Sequence, residues 1–479
     1  MSIASEITRL QEAKADIKEA IENKGVTVAS NLTLSSYAPL IDSIQSGGSV
    51  ENGTLLNLTA NENISANNFI EFGHKEVNIP SPYQVMCIYY LDNGNLLCLY
   101  HTSSDSTKHL GEFNPVTGTM VRNISLSMTG TRSFAIKKCG DYLIIAMADG
   151  SAYTVHCLVK FTDSEMTLYS GTVTPIADGQ GYCKLDDGVL VSEDANEAYF
   201  FTLNIRTNTN SCPQGVYTKL DKTTNSYTLV ETKNISNQVQ QSGRYMNIAC
   251  ILNVSNTWKA VFCNSSNIAT YTLTFTTTGF SYGTYVNITS GYSSMHLVKA
   301  GDKVRVFGYK DSRYHNFTLT VETGTGYTIS EEVNLNLPYM NILNVNTGVV
   351  MLTCGDYTIT VMDYRNNYNS AFVNLYCTIT KNANLLFSKH LDYQGFLPLN
   401  DSGSSRGQQP TCNNSQVAFL TDNIFNDSLY TLKLYSVYLG KLYDGDMTIS
   451  KPVTINDNKV DGLLTTDVTI GNTGATYIF

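Results

Sequence analysis

Few residues in this chain are spaced for chemistry. Gly403-Ser404-Ser405-Arg406-Gly407 matches the Gly-x-Ser-x-Gly pattern that exposes a nucleophilic serine. The pattern works only on a sharp turn between a strand and a helix. Here it lies in a polar Gly/Ser/Gln stretch, so no nucleophile is expected at Ser405. Asp186-Asp187 and Glu331-Glu332 are adjacent pairs. Neighbours in a strand point to opposite faces, so neither pair makes a glycosidase site, and both read as solvated turn residues. Gly324-x-Gly326 lacks a third glycine and a following helix, so it reads as a hairpin turn. The seven histidines include no His-x-His or HExxH spacing, and no two of the 11 cysteines form Cys-x-x-Cys. Most cysteines lie inside apolar runs and read as small buried hydrophobes in the reduced state. A sialidase Asp box needs a Trp after each hairpin, and Trp258 is the sole tryptophan. No catalytic residue, metal site or cofactor is therefore expected.

Binding is the remaining chemistry. Arg313-Tyr314-His315 and Tyr364-Arg365-Asn366-Asn367-Tyr368 combine aromatic rings with hydrogen-bonding heads in loop-like settings. A ring can stack on a sugar's C–H face while Arg and Asn bond its hydroxyls. Arg313, Tyr314, His315, Tyr364, Arg365 and Tyr368 are the candidate ligand residues. They fall in connections expected to share one face: 101–107, 253–257, 310–315, 363–370 and 421–427, with 394–411 opening beside them.

The elements that must hold these loops follow from composition and periodicity. Of 479 residues, 42% are hydrophobic, enough for a real core, but only 15% are charged, against roughly 25% in an average soluble domain. Ser, Thr, Asn and 31 Tyr fill the gap. That balance excludes a coiled-coil rod, an Ala/Glu/Lys-rich helical enzyme and a disordered chain. A net charge of −10 argues against nucleic-acid binding. No apolar run reaches the length of a membrane span.

A small Gly/Asp/Asn turn between two apolar runs recurs at Asp92-Asn93-Gly94, Gly140-Asp141, Asp186-Asp187-Gly188, Ser242-Gly243, Gly301-Asp302, Gly355-Asp356 and Asn413-Asn414. The spacing is about 53 residues, near that of a propeller blade. The second run, as in Tyr142–Ala148, is apolar on both faces, which a one-sided sheet does not permit. These features predict a mainly β chain, a seven-bladed β-propeller over 83–455 with a short N-terminal α-helical module. Six or eight blades, or an array of β-sandwiches, fit the same spacing. Residues 49–82 read as a linker or small β collar, and 456–479 as a closing or docking segment.

The module at 1–48 reads as two amphipathic helices. The first spans 1–24, with Ile3, Ile7, Leu10, Ile17 and Ile21 on one stripe and Lys24-Gly25 as its stop. The second covers about 35–45, with Tyr37, Leu40, Ile41 and Ile44 as its apolar side. Helices this short do not fold alone in water. Their stripes must meet each other, other copies of the chain or another protein. Glu6 and Arg9 interrupt any secretory apolar region.

The order Glu6-Ile7-Thr8-Arg9-Leu10-Gln11, Ala13-Lys14, Ile17, Ala20-Ile21, Lys24-Gly25-Val26 and Val28, then Leu34, Tyr37, Leu40-Ile41 and Ile44, resembles the N-terminal module of bacteriophage tail, baseplate and tail-fibre proteins. Such phages infect gut and other Firmicutes-type bacteria. Asn61-Glu62-x-Ile64-Ser65-Ala66-Asn67-x-Phe69-Ile70 resembles a small β motif of the same fibres. The likeness covers the first tenth of the chain, and the body matches no family. It implies a virion protein, folded and assembled in the bacterial cytoplasm. The head would dock on other tail or baseplate proteins, or form a homo-oligomer, with a trimer favoured. The body would then present loops to a host-surface glycan or protein. A structural baseplate or decoration protein is the alternative, and a surface-polysaccharide depolymerase the third.

Overall fold

In the computed structural model the described residues are the helix Ile3–Glu22, a few positions between 28 and 37, and most strands and short turns from 60 to 464. Residues 23–27, 38–59, 395–410, 465–479 and several shorter loop stretches are outside this set. The expected second helix, with Leu40, Ile41 and Ile44, therefore lies outside the described residues, as do Arg365, Tyr368 and the 403–407 stretch.

The body is mainly β. Six four-stranded antiparallel sheets each use four consecutive strands. The first holds Tyr83–Tyr90, Leu96–Thr102, Asp105–Phe113 and Met120–Leu126. The second holds Arg132–Cys139, Tyr142–Ala148, Thr154–Phe161 and Met166–Leu168. The third holds Cys183–Glu193, Glu197–Arg206, Gln214–Asp221 and Ser226–Asn234. The fourth holds Ala249–Val254, Thr257–Cys263, Ile268–Thr276 and Gly279–Ile288. The fifth holds Ser293–Ala300, Lys303–Lys310, Arg313–Val321 and Tyr327–Asn334. The sixth holds Val349–Cys354, Tyr357–Tyr364, Asn374–Lys381 and Asn384–Gln394.

A further four-stranded sheet joins Thr411–Cys412, Gln416–Ile424 and Lys433–Leu442 to Phe69–Lys75, which comes from far upstream. Phe69 pairs with Leu442 and Lys75 with Val437. Part of the expected collar is thus a strand of the body. The described strands near the C-terminus, Val453–Asn456 and Lys459–Leu464, pair with each other.

The second strands explain the stacking. Leu143 to Met147 are fully buried, and Leu96 to Tyr100 nearly so. A strand covered on both faces needs a neighbouring sheet on each side. The core is accordingly shared between successive sheets. Leu97 and Leu143 fall in one cluster, Ile144 and Phe200 in the next, then Phe201, Val261 and Val306, then Phe307 and Met351. The first strands of successive sheets neighbour one another in order, and Thr411–Cys412 neighbours both Val349–Cys354 and Tyr83–Tyr90. This arrangement is consistent with a β-propeller.

The turn pattern holds where the turn is a backbone requirement. Gly94, Gly140, Gly301 and Gly355 all have positive φ between the first and second strands of their sheets. Two expected turns fall elsewhere. Asp186-Asp187-Gly188 lies inside the strand Cys183–Glu193. The turn after that strand is at Asp194, whose Oδ1 accepts the Asn196 and Glu197 amides at 2.7 and 2.8 Å. In the fourth sheet the turn is Ser255-Asn256, both left-handed, and not Ser242-Gly243, which lies outside the described residues.

The chain divides into two compact units. One contains every four-stranded sheet. The other contains the helix and the C-terminal hairpin. In the helix, Ile21 is buried against Val28, Leu32 and Tyr37, and Lys14 Nζ stands 6.0 Å from the Tyr37 ring centre. Ile7, Leu10 and Ile17 remain 51%, 54% and 36% exposed.

Candidate functional site

The first strands of the sheets line a central cavity of about 200 Å³. Cys87, Lys137, Asp187 and Cys250 reach it from the first four sheets. Lys299, Thr353 and Cys412 reach it from the fifth, the sixth and the further sheet. Inner strands have one unpaired edge, and two carboxylates and two hydroxyls here bond to it. Asp186 Oδ2 accepts the Ile248 and Ala249 amides at 2.8 and 2.6 Å, and Asp187 Oδ2 accepts Ile251 N at 2.7 Å. A register shift between Leu185 and Asp187 lets both carboxylates face the same neighbour. They are therefore not solvated turn residues as the sequence implied, because the next sheet's amides claim them. Thr411 Oγ1 accepts Tyr90 N at 2.7 Å, and Thr353 Oγ1 donates to Lys299 O at 2.9 Å.

The cavity thiols stay protonated at neutral pH. Burial pushes Cys87 up to about 12, and Cys250 well above its usual value. Eight of the nine described free cysteines are buried. Among the described residues no group of three or more His, Cys, Asp or Glu side chains could hold a metal. The Lys137 and Lys299 side chains complete the lining.

A second concavity, of about 540 Å³, opens between the third and fourth sheets. Trp258, Phe275, Tyr217 and Tyr199 form its aromatic side. Trp258 pairs with Leu273 across the two strands, which sets Trp258, Leu273 and Phe275 on one face of the fourth sheet. Tyr199 and Tyr217 stack at 5.6 Å from the third sheet, Tyr217 meets Phe275 at 5.3 Å, and Trp258 stands edge-on to Phe275 at 6.2 Å. Ser192, Asn256, Thr274 and Thr277 are exposed at the rim. The nearby charges are committed: Lys219 pairs with Glu197, and Tyr199 Oη donates to Glu197 Oε2 at 2.7 Å.

The sequence-derived ligand residues lie elsewhere. Asp311 and Ser312 make a left-handed turn between the second and third strands of the fifth sheet. Arg313 is exposed beside it, but Tyr314 is buried, stacked on Phe307 at 5.4 Å. His315 Nδ1 lies 3.1 Å from Glu332 Oε1. Glu331 instead pairs with Arg305 from a left-handed position at a register shift inside the strand Tyr327–Asn334, so the pair is not in a turn as expected and its carboxylates take different partners. Tyr364 ends the strand Tyr357–Tyr364.

The connection 253–257 joins the first and second strands of its sheet, not the second and third as expected. In an up-and-down sheet those connections leave opposite ends of the strands. The aromatic groove, which takes in Asn256 and the 276–277 turn, therefore opens at the other end from 310–313. Sequence reading missed it because Tyr199, Tyr217 and Trp258 sit inside strands of two sheets. The lone tryptophan was the single signal available.

No family model matches the chain, and no curated protein matches it. Solved structures with a loose likeness include an oligogalacturonate lyase in complex with manganese, at 12% identity and TM-score 0.43, covering 80% of this chain and 98% of that one. The Cps50 (Swd1) β-propeller domain of Myceliophteria thermophila is 11% identical with TM-score 0.39, covering 80% of this chain and 99% of that one. A protein from Lactobacillus plantarum is 13% identical with TM-score 0.41, covering 83% of this chain and 98% of that one. None of them assigns an activity to this chain.

Proposed function

We propose that this chain is a non-enzymatic receptor-binding protein of a bacteriophage tail, a seven-bladed β-propeller held in the virion by its N-terminal helix. The observation that carries this reading is the apolar stripe of that helix, which among the described residues stays exposed at Ile7, Leu10 and Ile17. Such a stripe needs a second surface to cover it. Ile3, Ile7, Leu10, Lys14 and Ile17 alternate in steps of four and three, the register of a coiled-coil seam, which stops short of Ile21 because Val28, Leu32 and Tyr37 cover that residue. Ile at both kinds of seam position, Ile7 at one and Ile3 and Ile17 at the other, favours three or more strands, and a single Lys fixes their register. The resemblance of this segment to phage tail modules agrees with such attachment.

Seven blades are supported by the order of the inner strands, which return from Thr411–Cys412 to Tyr83–Tyr90 and share one cavity. Closure leaves only short edges, which suits a chain with few guarding charges. The body is then free to present its faces to a cell surface.

The test uses the full-length protein carrying a fluorescent label, incubated with a panel of intact Firmicutes strains. Saturable binding to at least one strain, competed by unlabelled protein, is expected. A folded protein that binds none of them would overturn the receptor role and favour a structural place in the baseplate.

A further inference from the structure

We infer that the groove between the third and fourth sheets, walled by Trp258, Phe275, Tyr217 and Tyr199, is a binding site for a neutral oligosaccharide. The inference deepens the receptor reading and rests on it for its biological meaning, although the site is argued from its own chemistry. At about 540 Å³ the groove falls within the 300–1,000 Å³ typical of small-ligand sites. Its wall is aromatic and half-open: Trp258 and Phe275 are partly exposed, while Tyr199 and Tyr217 form a stacked floor. Rings of this kind take the C–H face of a sugar, and the exposed rim at Ser192, Asn256 and Thr277 supplies hydroxyl and amide groups for its hydroxyls.

Other ligand classes fit less well. An extended peptide would need an open sheet edge to pair with. Thr257–Cys263 and Ile268–Thr276, the strands that form the wall, are each paired on both sides. An anionic ligand would need an uncommitted cation. Lys219 is held by Glu197, and Lys259 is buried, donating to Thr272 Oγ1 at 2.8 Å and to Gly324 O at 2.9 Å. No carboxylate lines the groove to neutralise a cationic ligand, and choline, which aromatic faces alone can hold, is the control whose failure to shift Trp258 emission is expected.

Trp258 is the sole tryptophan, so its emission reports this site alone. The probes are neutral oligosaccharides of glucose, galactose and N-acetylglucosamine, titrated into the full-length protein to millimolar concentration, with a sialylated glycan as charged control. At least one neutral probe is expected to shift Trp258 emission saturably, and the sialylated control to leave it unchanged. Trp258→Leu and the rim variant Ser192→Arg are expected to weaken that probe by about tenfold or more in calorimetry. Ser192 is exposed, so Ser192→Arg should melt like the parent. An unchanged emission across the whole neutral panel overturns the inference. So does labelling of bacteria by Trp258→Leu and Ser192→Arg at parental strength, a result that leaves the receptor role standing. A saturable Trp258 response from a protein that labels no bacteria upholds the groove and removes the receptor role.

Discussion

At the scale of single residues, several buried polar groups among the described residues serve the protein's own architecture. His156 shows the cost. It is fully buried, with Nε2 3.2 Å from Asn204 Oδ1, and Asn204 Nδ2 donates to Thr202 Oγ1 at 3.2 Å. Burial lowers its pKa from 6.5 to about 4, and the Asn204 bond offsets only part of that. The folded protein therefore binds fewer protons here than the unfolded chain. Its stabilising effect is complete above about 6.5 and is lost as pH falls through the window down to about 4. The loss is on the order of 3 kcal/mol. Urea midpoints measured across that window should fall for the parent and stay nearly level for His156→Gln. Glu112 acts lower on the scale. Burial raises its pKa, but hydrogen bonds from Asn95, Arg122 and Asn93 outweigh this and hold it below the usual carboxylate value. Its contribution therefore persists until pH falls through the carboxylate range.

At the scale of elements, the decisive contacts join one sheet to the next. Asp186 takes two amides of the following sheet, so Asp186→Ala strands both in a buried setting. We expect a loss of about 2–4 kcal/mol in chemical denaturation, with Asp186→Asn costing less because it keeps an acceptor oxygen. This same residue shows where sequence reading failed. An Asp-Asp-Gly triplet reads as a turn when its partners are sequence neighbours, but its amides lie some sixty residues onward. The doubly apolar second strands were legible, because burial on two faces leaves a mark in each strand by itself. So was the first helix, whose period of apolar residues is local. The aromatic groove was not, since it is assembled from strands that are ordinary taken singly.

At the scale of the whole molecule, the pairing of Phe69–Lys75 with Lys433–Leu442 joins distant parts of the body. No local pattern encodes so remote a partner, which is why the segment read as a collar. Removing Phe69–Lys75 would bare the edge of Lys433–Leu442. We expect a lower melting temperature and aggregation on heating, and a deletion that melts like the parent would contradict the pairing. The proposed molecule combines a closed ring of seven sheets with a helix whose exposed stripe is covered by neighbouring chains. Electron cryomicroscopy of the purified full-length protein tests both together. It should show seven sheets around one axis, with helices from neighbouring chains packed along Ile7, Leu10 and Ile17. Sheets that fail to encircle an axis, or helices standing alone in solvent, would contradict it.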